Sequence, residues 1–91
     1  MVYIQVRHRI GDYAKWREGY DQHAPARQAG GATGDEYILR NVDDSNEITI
    51  LLGWTDLKKA RSFTQSSSLK EAMQDAGVQG KPEIWFLEPA T

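Results

Sequence analysis

The feature that most constrains this chain is a pair of segments, EITILLGW at 47 to 54 and EIWFLE at 83 to 88, that are apolar in both phases of a two-residue alternation. In the first, Ile48, Ile50, Leu52 and Trp54 fall on one side and Leu51 on the other. In the second, Ile84 and Phe86 oppose Trp85 and Leu87. Successive side chains of a strand point to opposite faces, so strands of this kind are covered on both. A chain of 91 residues has little left over for two layers of cover. At that size only roughly 60 to 65% of the unfolded surface is buried, and a partner subunit would help.

The remaining elements follow from changes of period. VYIQVRH at 2 to 8 alternates Val2, Ile4 and Val6 with Tyr3, Gln5 and Arg7, which predicts a half-buried strand. Gly11 and Asp12 stop it, and Asp12 offers a helix N-cap. From Tyr13 the period is helical as far as Gly30 and Gly31, with a kink or fresh turn at Pro25, which removes a donor and pushes Ala24 from helical geometry. EYILRNV at 36 to 42 and EITILLGW then read as a hairpin turning over Asp43 to Asn46. TDLKKARSFTQSSSLKEAMQDAG is a helix capped by Thr55 or Asp56 and broken at the three serines. Ser68 and Glu71 have capping-box spacing, predicting a short helix from Leu69 that buries Leu69, Ala72, Met73 and Ala76 and ends at Gly77. The last strand follows Gly80 and Pro82.

The order is βαββαβ, so the expected fold is α+β and ferredoxin-like: one domain, residues 1–91, with helices on one face of an antiparallel sheet. Helices on one face leave the other uncovered, although two strands are apolar on both. A homodimer through the open face of the sheet resolves that mismatch.

Chemistry concentrates in YAKWREGYDQHAPAR. At 100° per residue, Tyr13, Trp16, Tyr20, His23 and Arg27 fall within roughly 80° of arc, an aromatic wall ending in a proton-transfer group and a cation. Such a wall suits a planar, acidic or enolisable ligand: His23 takes a proton near neutral pH and Arg27 holds the resulting anion. His23 and Arg27 are therefore the candidate catalytic pair, with Trp16, Tyr20, Trp54, Phe63 and Trp85 the candidate ligand contacts. One tryptophan of the strands, Trp54 or Trp85, is expected at the pocket and the other at the dimer seam. Each residue also has a plainer role. Aromatic stripes at helical spacing usually pack a core, Phe63 included, and Arg27 could pair with Asp35 or Glu36 and reach outward. His8, at the end of its strand, reads as a surface residue or one near a pocket mouth.

Several functions are excluded. There is no cysteine, and the two histidines lack the carboxylate spacing of a metal site, so neither metal nor cofactor is expected. A net charge of −2 gives no pull toward nucleic acid or anionic lipid. ITILLGW lacks the basic residues and aromatic pair of an RNA-binding strand, and RHRIGDY is no phosphate-cradling loop. No apolar run suits a signal peptide or membrane span, so a cytoplasmic location is the default.

DYAKWREGYDQH, EYILRNVDDSNEITILLGW, DLKKARSFTQSSSLKEAMQDAGV and PEIWFL together resemble the dimeric α/β-barrel superfamily, which includes antibiotic biosynthesis monooxygenases and cyclase-like proteins. The resemblance spans nearly the whole chain, although none of these segments is a catalytic signature. It implies two ferredoxin-like units packed sheet to sheet, with ligands held between the helices and the concave face of each sheet. Several sites in that group use a central asparagine; here Asn46 falls in the hairpin turn and Asn41 near a strand end. The expected function is a cofactor-independent monooxygenase or cyclase acting on an aromatic or enolic small molecule. The alternative is a non-catalytic ligand-binding or accessory dimer.

Overall fold

The computed structural model describes residues 1–90; Thr91, the last residue of the expected domain, lies outside them. Eight elements run in the order β1 (Val2–Ile10), α1 (Tyr13–Gln22), α2 (Ala24–Gly30), β2 (Ala32–Asn41), β3 (Asp44–Trp54), α3 (Leu57–Thr64), α4 (Ser67–Asp75) and β4 (Val78–Leu87). The strands form one antiparallel sheet in the order β2-β3-β1-β4, which is the ferredoxin-like arrangement with each crossover helix split in two.

Both splits have local causes. Pro25 lies in the first turn of α2, where a missing N–H costs nothing, and His23 joins the two helices with its backbone N–H bonded to the carbonyls of Gly19 and Tyr20. Between α3 and α4 the cap is Ser66, whose hydroxyl accepts from the Leu69 N–H at 3.2 Å. The capping box expected at Ser68 does not form, because α4 already begins at Ser67. Ser66→Ala should therefore cost about 1 kcal/mol in urea unfolding, and Ser68→Ala much less.

Alternation places Ile4, Val6, His8 and Ile10 of β1 against Ile48, Ile50, Leu52 and Trp54 of β3 under the helices. Trp16, Tyr20, Ala60, Phe63 and Ala76 close this core from above. Nothing among the described residues covers the other face of the sheet. Tyr37, Leu51, Gln5 and Trp85 form a row across it, flanked by Leu39 and Leu87. Tyr37, Leu39, Trp85 and Leu87 are all exposed.

Several strand limits differ from expectation; β1 runs past His8 to Ile10, which is again buried. β2 starts at Ala32, because an edge strand exposed along most of its length need not alternate. The hairpin turns at Val42 and Asp43, with Asn41 and Asp44 paired and the Asp43 N–H bonded to the Asn41 side chain. β4 begins at Val78 and includes Gly80 and Pro82, which lie where its register with β1 shifts between Arg7 and Arg9. An edge strand tolerates a proline and an irregularity there.

Candidate functional site

Between α1, α4 and the sheet lies a cavity of about 50 Å³, lined by Ile4, Val6, Ile50 and Leu52 below and by Trp16, Tyr20, Phe63 and Met73 above. Polar side chains also reach it, among them His8, His23, Arg27 and Thr64. A wall almost wholly apolar with a few convergent polar groups is the ordinary character of a small-molecule site.

The sequence places these groups by simple means. Trp16 and Tyr20, four residues apart, stack with ring centroids 5.1 Å apart. The chain breaks after α1, yet Arg27 does not leave the stripe. Its guanidinium carbon lies 3.8 Å from the Tyr20 ring centroid, and its Nη1 donates to the Tyr20 carbonyl at 2.8 Å. Arg27 is 6% exposed, and among the described residues no carboxylate pairs with it. The expected alternative of an ion pair with Asp35 or Glu36 is overturned: Glu36 instead accepts from the Tyr20 hydroxyl at 3.0 Å. Burial, the largest cause, raises the Tyr20 phenol above its ordinary value, so it stays a neutral donor.

His23, half-buried at the junction of α1 and α2, has its Nε2 3.0 Å from the Ser68 hydroxyl, and its ring lies 5.8 Å from that of Phe63. Burial, and then the nearby Arg27 cation, push its imidazole below the ordinary histidine value. It is thus neutral at pH 7 and able to accept a proton.

His8 is not the surface residue of one expectation but, closer to the other, lines the cavity. It is 5% exposed, its ring 5.5 Å from Trp16, and neither ring nitrogen has a hydrogen-bond partner among the described residues. Desolvation alone pushes its imidazole down to about 4. The signal was present: continuing the β1 alternation one step beyond Val6 puts His8 on the buried face.

Of the candidate contacts, Trp16, Tyr20 and Phe63 line the cavity together with His23 and Arg27. Trp54 does not. It is fully buried behind Phe63, with ring centroids 4.6 Å apart, and its indole N–H is bonded to the Gly30 carbonyl. Trp85 lies on the opposite face of the sheet, 41% exposed. Asn41 bonds to Glu47 and Asn46 lies at the start of β3, so neither contributes to the cavity. No group of histidine, cysteine and carboxylate side chains suited to a metal occurs among the described residues. None of the helices there is long and apolar enough to cross a membrane.

No protein-family model matches the sequence. No curated protein matches it either. Solved structures do match in fold. A candidate antibiotic biosynthesis monooxygenase from Bordetella bronchiseptica aligns with TM-score 0.81 at 14% identity, over 99% of this chain and 97% of that one. SnoaB, a cofactor-independent oxygenase from Streptomyces nogalater, aligns with TM-score 0.74 at 15% identity, over 99% and 92%. A candidate antibiotic biosynthesis monooxygenase from Caulobacter crescentus aligns with TM-score 0.75 at 12% identity, over 99% and 90%. At these identities the likeness is one of backbone architecture. The described residues share the ferredoxin-like α+β fold of these solved structures.

Proposed function

We propose that the cavity binds a small planar organic acid and that its chemistry is cofactor-independent oxygenation of an enolisable phenol. The observation that carries this reading is Arg27, a buried cation lining an apolar cavity that makes no ion pair with a carboxylate among the described residues. A charge so placed costs stability unless something compensates it, and a ligand anion does so. Trp16 and Tyr20 supply the flat wall for its ring.

In the reaction, neutral His23 removes a proton from an acidic methylene flanked by rings, and Arg27 holds the enolate oxygen. The electron-rich anion then reduces dioxygen, forming a carbon–oxygen bond. The resulting peroxide loses water to leave a ketone. One oxygen atom ends in the product and the other in water, with both methylene hydrogens, so no external reductant is consumed. Two of the fold relatives, a candidate antibiotic biosynthesis monooxygenase and a cofactor-independent oxygenase, support oxygenation over other chemistry.

The cavity volume favours a second reading, a non-catalytic binder of small acids. A volume of about 50 Å³ is well below the ~150 Å³ that holds benzene. A ring enters only if a wall moves, and α4 is the wall best able to, since none of its residues is fully buried and it presents Leu69 and the flexible Met73. Oxygen uptake with an enolisable phenol separates the readings. Oxygenation predicts one dioxygen consumed per ketone formed, with rates at least ~10²-fold lower in His23→Ala and Arg27→Met. Saturable binding with no uptake above the uncatalysed rate would leave only the binder.

The protomer is one domain, residues 1–91, that pairs through the open face of the sheet. Support comes from the row Tyr37, Leu51, Gln5 and Trp85, too apolar to be left in water. Trp85→Glu combined with Tyr37→Lys should convert a sedimenting dimer to a folded monomer. A wild-type protein that sediments as a monomer at high concentration sinks the pairing.

A further inference from the structure

We infer that His8 is the second polar anchor of the cavity, and that it selects ligands bearing a neutral hydroxyl or carbonyl at the end opposite their anionic group. The inference rests on the proposed acid-binding role of Arg27 and adds the other half of the ligand.

The position of His8 needs no polar residue for folding. Its neighbours on the same face of β1 are Val6 and Ile10, and its partner on β3 is Ile48, so a leucine or valine would pack there at no polar cost. An imidazole in that place, with both nitrogens shielded and unpaired, is a donor and an acceptor held ready. Burial disfavours its charged form. Its ring is therefore neutral at physiological pH. One nitrogen offers a proton and the other a lone pair, a match for a hydroxyl or carbonyl and a poor match for an anion.

The cavity also sets which end of a ligand His8 meets. The Trp16 ring lies 5.5 Å from His8 and 5.1 Å from Tyr20, and Tyr20 in turn carries Arg27 over its ring at 3.8 Å, a run of successive contacts with His8 and Arg27 as its end members. A flat molecule lying along Trp16 and Tyr20 meets a cation at one end and a neutral imidazole at the other. The ligand class is an aromatic acid with a para-disposed hydroxyl or carbonyl.

Calorimetric titration of the whole chain with 4-hydroxybenzoate and 4-methylbenzoate tests this, since the two share shape and carboxylate and differ only at the far end. Wild type should bind the hydroxy compound at least ~10-fold more tightly. His8→Leu should remove that preference while unfolding at the same or a higher temperature, and His8→Gln, which keeps a donor and an acceptor, should retain part of it. Arg27→Met should weaken both compounds alike. Equal binding of the two by wild type, or a preference that survives His8→Leu, overturns the role of His8 and leaves the acid site standing. Binding of neither compound by wild type, or undiminished binding by Arg27→Met, overturns the acid site and this inference with it.

Discussion

Between pH 6.5 and pH 4 the folded state should lose about 3 kcal/mol through His8 alone, and a His8→Leu variant should not show that loss. The imidazole titrates near 6.5 when the chain is unfolded and near 4 when it is buried. Across that interval the unfolded chain binds the extra proton, so stability rises with pH. Above pH 6.5 both states are neutral and stability is complete; it is lost as pH falls toward 4. His23, also lowered by burial, contributes in the same direction. Carboxylates act lower on the scale: Asp44 and Glu47 are held below their ordinary values chiefly by hydrogen bonds from Arg9 and Arg7, so their contribution is lost only as pH falls through those lowered values. Urea unfolding at pH 7 and pH 5 reads the difference. At pH 7, His8→Leu should exceed wild type by about 1 to 3 kcal/mol, because it removes an unsatisfied buried polar group. That gain would mean the histidine is kept at the expense of stability, as expected of a functional residue.

Trp54→Ala should cost about 3 to 5 kcal/mol, most of the stability of a domain this size, and leave little folded protein at 37 °C. Trp54 is 0% exposed and fills the space under α2 and α3. Its indole also donates to the Gly30 carbonyl at 2.9 Å, pinning the end of the helix that carries Arg27. The approach is close enough that a Cβ on Gly31 would sit 2.9 Å from the indole nitrogen, and Gly31 turns the chain with φ +120°, a conformation that favours glycine. Trp54→Phe keeps most of the volume but leaves the Gly30 carbonyl without the indole donor, so about 1 to 3 kcal/mol is expected from thermal unfolding. Arg27→Met belongs to the opposite kind of change. The Tyr20 carbonyl keeps its bond from the His23 N–H, a buried charge disappears, and the variant should fold at least as well as wild type.

The sheet was legible because its central strands alternate. Val2, Ile4 and Val6, then Ile48 to Trp54, announce which face is buried, and Leu51, Trp85 and Leu87 announce that the other face is apolar too. The edge strands were less so, since exposure of β2 removes the pressure to alternate and Pro82 disguises β4. At the site, helical spacing correctly aligned Trp16, Tyr20, His23 and Arg27, although the helix stops at Gln22. Spacing could not show that Arg27 folds back over Tyr20 in place of reaching an acid. Nor could it separate Trp54 from the cavity wall, because Phe63 on α3 stands between them only in three dimensions. His8 was legible too: the alternation of Val2, Ile4 and Val6 carries on to it, and only its polar character argued for the surface.

The central claim is that Arg27 makes the cavity under α1 a site for aromatic acids. A crystal structure of the protein grown with 4-methylbenzoate tests it most directly. The carboxylate should lie within about 3 Å of the Arg27 guanidinium, with the ring against Trp16 and Tyr20 and α4 displaced outward to make room. An unchanged cavity at saturating benzoate, or a benzoate bound elsewhere with Arg27 untouched, would contradict it.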